Sequence, residues 1–214
     1  MIIVSHRGPY RFVRNDDGTF TARRGAGGVV SALGPLLAEA KDAVWVAAAL
    51  STEDAQGVAE SHADLDVEMV LLRLDPRLHR LHYDVVSNRV LWFLHHGLFD
   101  RSYRPQHDVH FRDAWDAYRS VNETFAQAVA ERADQREIVL VQDYQLALVP
   151  AQLRTLRPDL RIVHFTHTPF CGPDDITILP NDVARELCGS LAGGPAGFHT
   201  PRWVDAYKHS ARAA

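Results

Sequence analysis

Glu137-Ile138-Val139-Leu140-Val141-Gln142-Asp143-Tyr144-Gln145 opens the stretch that decides the fold, and Arg161-Ile162-Val163-His164-Phe165-Thr166-His167-Thr168-Pro169-Phe170 closes it. Each half is a short apolar run rich in β-branched residues, which reads as a buried strand ending in a polar corner. Between them Leu146, Leu148, Val149, Leu153 and Leu156 recur at helical spacing, so a helix is predicted to follow the first corner. Strand, corner, helix and strand make a βαβ unit, and its right-handed crossover sets the two strands parallel. Ligands of open parallel sheets sit just outside the carboxyl ends of the strands. Asp143 and His167 both fall there.

Working outward, Met1 to Ser5 predicts a first strand running into His6-Arg7-Gly8-Pro9. Tyr10 to Arg23 alternates around Asn15-Asp16-Asp17-Gly18, a hairpin with its turn at Asp17-Gly18. Gly25-Ala26-Gly27-Gly28 precedes a helix that Pro35 is expected to kink or restart. Trp45 to Ala49 and Val67 to Leu74 read as further strands, with a helix capped by Ser51 or Thr52 between them. Pro76 to Phe99 reads as one helix with His79, Tyr83 and Ser87 on one side. Arg112 to Arg132 is a long amphipathic helix whose stripe of Trp115, Tyr118 and Phe125 belongs to the core. Val183 to Leu191 is helical, Gly194 to His199 holds a last short strand, and Trp203 to Arg212 closes the chain as a helix. The expected fold is α/β, a doubly wound and mostly parallel sheet in one domain over residues 1–214.

A net charge of −4 gives no footprint for nucleic acid or an acidic membrane surface. Cys171 and Cys188 are too few for a disulfide framework and lack zinc spacing. His164 with His167, or His107 with His110, would need a third ligand that the spacing does not provide, so no metal and no cofactor is expected. No apolar run approaches the roughly 20 residues of a membrane span, and a cytoplasmic location is expected.

Three groups carry candidate chemistry. Glycines 25, 27 and 28 before a helix could turn N–H groups toward a phosphate, although a plain tight turn explains them equally well. Arg7 could clamp an anion with two parallel donors, or make a surface ion pair. Asp143 could deprotonate or orient a sugar hydroxyl while His167 hydrogen-bonds another, or Asp143 could simply cap a helix.

The chain resembles the amino-terminal half of trehalose-6-phosphate synthases, retaining glycosyltransferases of the two-domain GT-B fold. The resemblance rests on Val4-Ser5-His6-Arg7, Gly27-Gly28-Val29-Val30-Ser31-Ala32-Leu33 and His82-Tyr83-Asp84 with Ser87-Asn88-Arg89-Val90-Leu91-Trp92. Trp115 to Asn122, Gln142-Asp143-Tyr144-Gln145, His167-Thr168-Pro169-Phe170 and Gly197-Phe198-His199-Thr200 extend it in family order. It implies transfer of glucose from UDP-glucose or a similar nucleotide sugar to glucose 6-phosphate, with retention of the α-configuration.

By the same resemblance Arg7, Tyr83 and Trp92 would hold the acceptor phosphate, and Asp143 would bind acceptor hydroxyls. His167 would contact the transferring sugar, and Gly27 and Gly28 would meet the donor diphosphate. Asp143 and His167 would be the catalytic pair. Tyr83 and Trp92 are nine apart, so they face one side only if their helix bends or ends between them.

The chain departs from the family at three places. Gln142 and Gln145 stand where the family has histidines around Asp-Tyr. Ala47 or Ala48 stands where a second tryptophan lines the acceptor pocket, and Cys171-Gly172-Pro173-Asp174 replaces the residues after Pro-Phe. These departures favour an alternative within the fold, a validoxylamine-type synthase joining a cyclitol nucleotide to an amino-cyclitol phosphate. The family's nucleotide-sugar domain is expected to be absent from the 214 residues. That motivates a further alternative, a non-catalytic sugar-phosphate-binding module. It also leads to the expectation of a missing domain or partner chain, and of self-association.

Overall fold

The computed structural model describes residues 1–25, 27–40, 42–60, 65–99 and 106–214. The chain opens with β1 (Ile2–Val4), then a hairpin of β2 (Tyr10–Arg14) and β3 (Phe20–Arg24). Next come α1 (Gly28–Glu39), β4 (Val44–Ala48), α2 (Thr52–Glu60) and β5 (Glu68–Leu72). A helical stretch follows in three parts: α3 (Pro76–Arg80), a π-helical run Leu81–Leu91, and α4 (Trp92–His95). Then α5 (Val109–Arg132) leads to β6 (Ile138–Gln142), a 3-10 turn Tyr144–Leu146, α6 (Val149–Leu156) and β7 (Arg161–Thr166). The chain ends with α7 (Pro173–Ile176), α8 (Asn181–Ala192), β8 (Ala196–Phe198) and α9 (Pro201–Ala213).

Six strands form one sheet in the order β5-β4-β1-β6-β7-β8, and every neighbouring pair is parallel. The hairpin stands apart as a two-stranded sheet. Side chains alternate across the pleat, so β1 sends Ile3 to one face and Ile2 and Val4 to the other. Ile3 packs with Trp45, Ala47 and Leu37 of α1, while Val4 packs with Val46, Val141, Val121 and Phe125 of α5. A third apolar cluster, around Trp115, Tyr118, Phe170 and Leu187, fills the space between α5, α8 and the loop after β7. Trp115 is tied to α8 by its indole N–H, which donates to Glu186 at 2.8 Å.

The parallel doubly wound sheet is the one predicted, and the differences are local. α1 runs on through Pro35, whose ring lies on an exposed face, so the expected restart does not occur. Pro76 to Phe99 is not one α-helix: residues 81–91 wind with i→i+5 bonds, and the helix ends at His95. The helix expected to follow the Gln142–Gln145 corner from Leu146 begins only at Val149, after a 3-10 turn. The short α7 has no apolar periodicity by which it could have been read.

Candidate active site

Arg7 lies just beyond β1, and its position is set by a short relay. The buried indole of Trp45 donates to Ser5 Oγ at 2.7 Å, and that hydroxyl donates to the Arg7 carbonyl at 2.6 Å. The N–H of Ala48 donates to the His6 carbonyl at 3.2 Å, which keeps the segment on the sheet past the end of the strand. The Arg7 side chain is exposed, and it makes no hydrogen bond or ion pair among the described residues. It is a cation held in place by its backbone alone.

Asp143 stands at the carboxyl end of β6 with φ 70° and ψ 170°. That region is almost confined to glycine, and a side chain held there costs on the order of 1–3 kcal/mol. The surroundings impose the conformation. The Asp143 N–H donates to the Phe165 carbonyl at 2.7 Å, and the Asp143 carbonyl accepts from His164 Nε2 at 3.1 Å. Further along, the hydroxyl of Tyr118 donates to the Tyr144 carbonyl, and His82 Nε2 donates to the Gln145 carbonyl at 2.8 Å. Asn122 donates to that same carbonyl at 3.2 Å. The Asp143 carboxylate is not a helix cap; its Oδ1 accepts from the His167 N–H at 3.1 Å. Burial raises its pKa, opposed by the backbone N–H groups of Tyr144 and His167.

A cavity of about 140 Å³ is lined by Arg7, Tyr83, Asp143, Gly27 and Gly28 among others, so five of the seven predicted site residues share it. His167 adjoins it through its bond to Asp143. A second cavity of about 470 Å³ meets the first at Arg7, Gly27 and Val30 and is lined in part by Ala48 and Arg11. At Gly27 and Gly28 an added Cβ would meet nothing within 4 Å. Gly27 has φ −72°, so neither crowding nor a left-handed backbone in the chain itself asks for glycine there.

Trp92 is the predicted residue that neither lines nor adjoins the cavity. The i→i+5 run takes more residues per turn than an α-helix, which carries Trp92 back from the face opposite Tyr83. Its ring nevertheless lies 4.2 Å from His96 and packs on the third apolar cluster. Tyr83 instead stacks on His6, with centroids 4.3 Å apart and planes at 7°.

His6, Gln142 and Gln145 line the cavity and were not singled out as site residues from the sequence. Adjacency was the available signal, since His6 precedes Arg7 and the two glutamines flank Asp143-Tyr144. Burial, then the neighbouring His82 and His79, pushes the His6 imidazole well below its ordinary pKa. Burial likewise takes His82 and His164 down to about 4, so both are neutral hydrogen-bond donors through Nε2. Burial and then His199 lower His167. Among the described residues the cavity therefore offers one free cation, one carboxylate, the His6 imidazole, two amides and a phenol, with His167 alongside. That set suits a polyhydroxylated ligand with one anionic end. Among the described residues no three His, Cys, Asp or Glu side chains gather around a metal position, and no helix is long and apolar enough to cross a membrane.

A family model for glycosyltransferase family 20 matches residues 1–212. A trehalose-6-phosphate synthase of Mycobacterium ulcerans (strain Agy99) is 39% identical over 209 residues, covering 94% of this chain and 39% of that protein. The chain spans about two-fifths of the length of the curated relatives it matches. An α,α-trehalose-phosphate synthase (UDP-forming) from Burkholderia vietnamiensis is 25% identical with a TM-score of 0.71, over 97% of this chain and 41% of its own. One from Burkholderia xenovorans, in complex with glucose 6-phosphate, gives 0.73 at 24% identity, over 96% of this chain and 41% of its own, a likeness of fold.

Proposed function

Because the chain belongs to glycosyltransferase family 20, we propose that it is the acceptor-binding half of a retaining GT-B enzyme. The reaction is transfer of glucose from a nucleotide sugar, UDP-glucose or similar, to glucose 6-phosphate, giving trehalose 6-phosphate. Residues 1–214 act as one acceptor domain, and the nucleotide is held mainly by a second domain or partner chain. Arg7 takes the acceptor phosphate, with the Tyr83 hydroxyl beside it. Asp143 accepts from acceptor hydroxyls, His167 faces the transferred sugar, and the N–H groups of Gly27 and Gly28 approach the donor diphosphate at the start of α1. Asp143 and His167 are the catalytic pair of this reading.

The observation that carries the reading is the unpaired Arg7 guanidinium, without a partner among the described residues, on the same cavity as Asp143 and Tyr83. A guanidinium matches two phosphate oxygens and stays charged at any working pH. Losing such a contact costs about 1.5–3 kcal/mol, roughly ten- to hundredfold in affinity. Calorimetry with glucose 6-phosphate, glucose and inorganic phosphate on wild type and Arg7→Ala tests it. Arg7→Ala is expected to lose most affinity for both phosphate compounds. Binding of glucose 6-phosphate unchanged in the variant would remove the acceptor assignment.

A second reading draws on the cavity beside Ala48, which adds space next to Arg7. It supports an acceptor other than glucose 6-phosphate, such as an amino-cyclitol phosphate. Tighter binding of an amino-cyclitol phosphate than of glucose 6-phosphate would select it.

A further inference from the structure

Gln142 is the last residue of β6 and is buried. Its Oε1 lies 2.9 Å from His167 Nε2, on the neighbouring strand's continuation. Gln142 pairs with Phe165 across the parallel ladder, so His167, two residues further, comes to the same edge. A carboxamide oxygen can only accept, so His167 carries its proton on Nε2 and leaves a lone pair on Nδ1. The other atom of the amide, Gln142 Nε2, has no hydrogen-bond partner among the described residues, and Gln142 lines the cavity with Arg7, Tyr83 and Asp143. The neutral amide is thus divided between two tasks.

We propose that Gln142 is both a positioning residue for His167 and a direct hydrogen-bond donor to a hydroxyl of the sugar in this cavity. The donor half rests on the sugar-phosphate reading above; the positioning half stands on geometry alone. The set of donors and acceptors fits a hydroxylated face of the ligand. Gln142 Nε2 donates, His167 Nδ1 and the Asp143 carboxylate accept, and a sugar hydroxyl does both. A phosphate there would meet a lone pair and a carboxylate. The anionic end therefore points to Arg7 and the hydroxyl-bearing end to Gln142. A histidine in place of Gln142 could bond His167 in either direction according to its own proton, whereas the amide fixes the direction at every pH.

The substitutions Gln142→Glu and Gln142→Leu separate the two tasks. A glutamate side chain there would still accept from His167 but could not donate to a hydroxyl; a leucine side chain could do neither. Nitrogen-15 NMR reads the His167 tautomer on the purified 214-residue chain, and calorimetry reads binding of glucose 6-phosphate and inorganic phosphate. Wild type is expected to show one tautomer, protonated on Nε2, and Gln142→Leu a mixture. Gln142→Glu is expected to bind glucose 6-phosphate about tenfold more weakly, with inorganic phosphate changed far less. A wild-type tautomer in Gln142→Leu would overturn the positioning role, and undiminished sugar-phosphate binding by Gln142→Glu would overturn the donor role. Should Gln142→Leu not fold, the near-isosteric Gln142→Glu still decides the donor role, and the wild-type tautomer still decides the positioning. If wild type bound no glucose 6-phosphate, the sugar-phosphate reading and the donor role would fall together, while the tautomer would still judge the positioning.

Discussion

His6 Nε2 and His79 Nε2 are 2.9 Å apart, with the two rings stacked at 6° to one another. One nitrogen donates and the other accepts, so the contact exists only while at least one ring is neutral. Burial lowers both pKa values, as it lowers those of His82 and His164 to about 4. An unfolded imidazole near 6.5 takes its proton first, so between pH 6.5 and about 4 the unfolded chain binds more protons. This stability is fully present above that window and is lost as pH falls through it. Each such group contributes a slope of up to about 1.4 kcal/mol per pH unit. Urea unfolding at pH 7 and pH 5 is expected to show a clearly lower midpoint at pH 5; equal midpoints would mean that these rings titrate normally.

Gly28→Ala is expected to leave stability within about 0.5–1 kcal/mol of wild type, since a methyl group there meets open space. Alanine in the first turn of α1 should even favour the helix slightly. The loss falls on the ligand, because the methyl group occupies the approach to the backbone N–H. Thermal melts should coincide, while UDP-glucose binding should weaken markedly in any form of the protein that binds it. Intact nucleotide-sugar binding in the variant would return the glycines to the role of a plain turn.

Asp143→Gly should raise or preserve the melting temperature although it deletes a buried side chain. It relieves a conformation worth on the order of 1–3 kcal/mol and removes a partly desolvated carboxyl. Against this stands the lost bond to the His167 N–H, about 1 kcal/mol, and the flexibility of glycine. Asp143→Ala keeps the strain and loses the bond, so it should melt below both. If the alanine and glycine variants melt alike, the backbone of residue 143 is not strained.

Gly57 is the opposite kind of glycine. A Cβ there would lie 2.3 Å from the Phe12 Cβ, where α2 packs on the hairpin. Phe12 is buried and its N–H is held by Asp54 at 2.9 Å, so the strand cannot simply withdraw. Gly57→Ala should cost about 1–3 kcal/mol by overpacking, visible as a lower urea midpoint. An unchanged midpoint would show that the hairpin is only loosely attached to the helix.

Strands β1, β6 and β7 were legible because each is a short run rich in β-branched residues and closed by polar ones, so Ile2 to Val4, Ile138 to Gln142 and Arg161 to Thr166 need no tertiary information. Arg7, Asp143 and His167 were legible as a set because strand ends in a parallel sheet share one edge. Other features depend on contacts distant in sequence. The i→i+5 winding between Tyr83 and Trp92 leaves no mark in the apolar pattern, and it is packing on the third apolar cluster and His96 that keeps Trp92 off the cavity Tyr83 lines. The positive φ of Asp143 left no mark in the local pattern, because His164, Tyr118 and Asn122 hold that corner from other elements. Gln142 read only as a departure until the register of β6 on β7 put its amide beside His167.

The place of β1 has a consequence for how the chain reaches this state. Residues 2–4 sit at the centre of the sheet and pair on one side with residues 44–46 and on the other with residues 139–141. Loop closure over such separations precedes any reward from the contacts, and high contact order slows folding. On the ribosome the first strand to emerge can find β4 early, but it must then wait through the making of α5 before β6 exists. Until then one edge of β1, with its ladder of N–H and C=O groups, is open to other chains. The amino terminus, synthesised first, is among the last parts of the sheet to be finished.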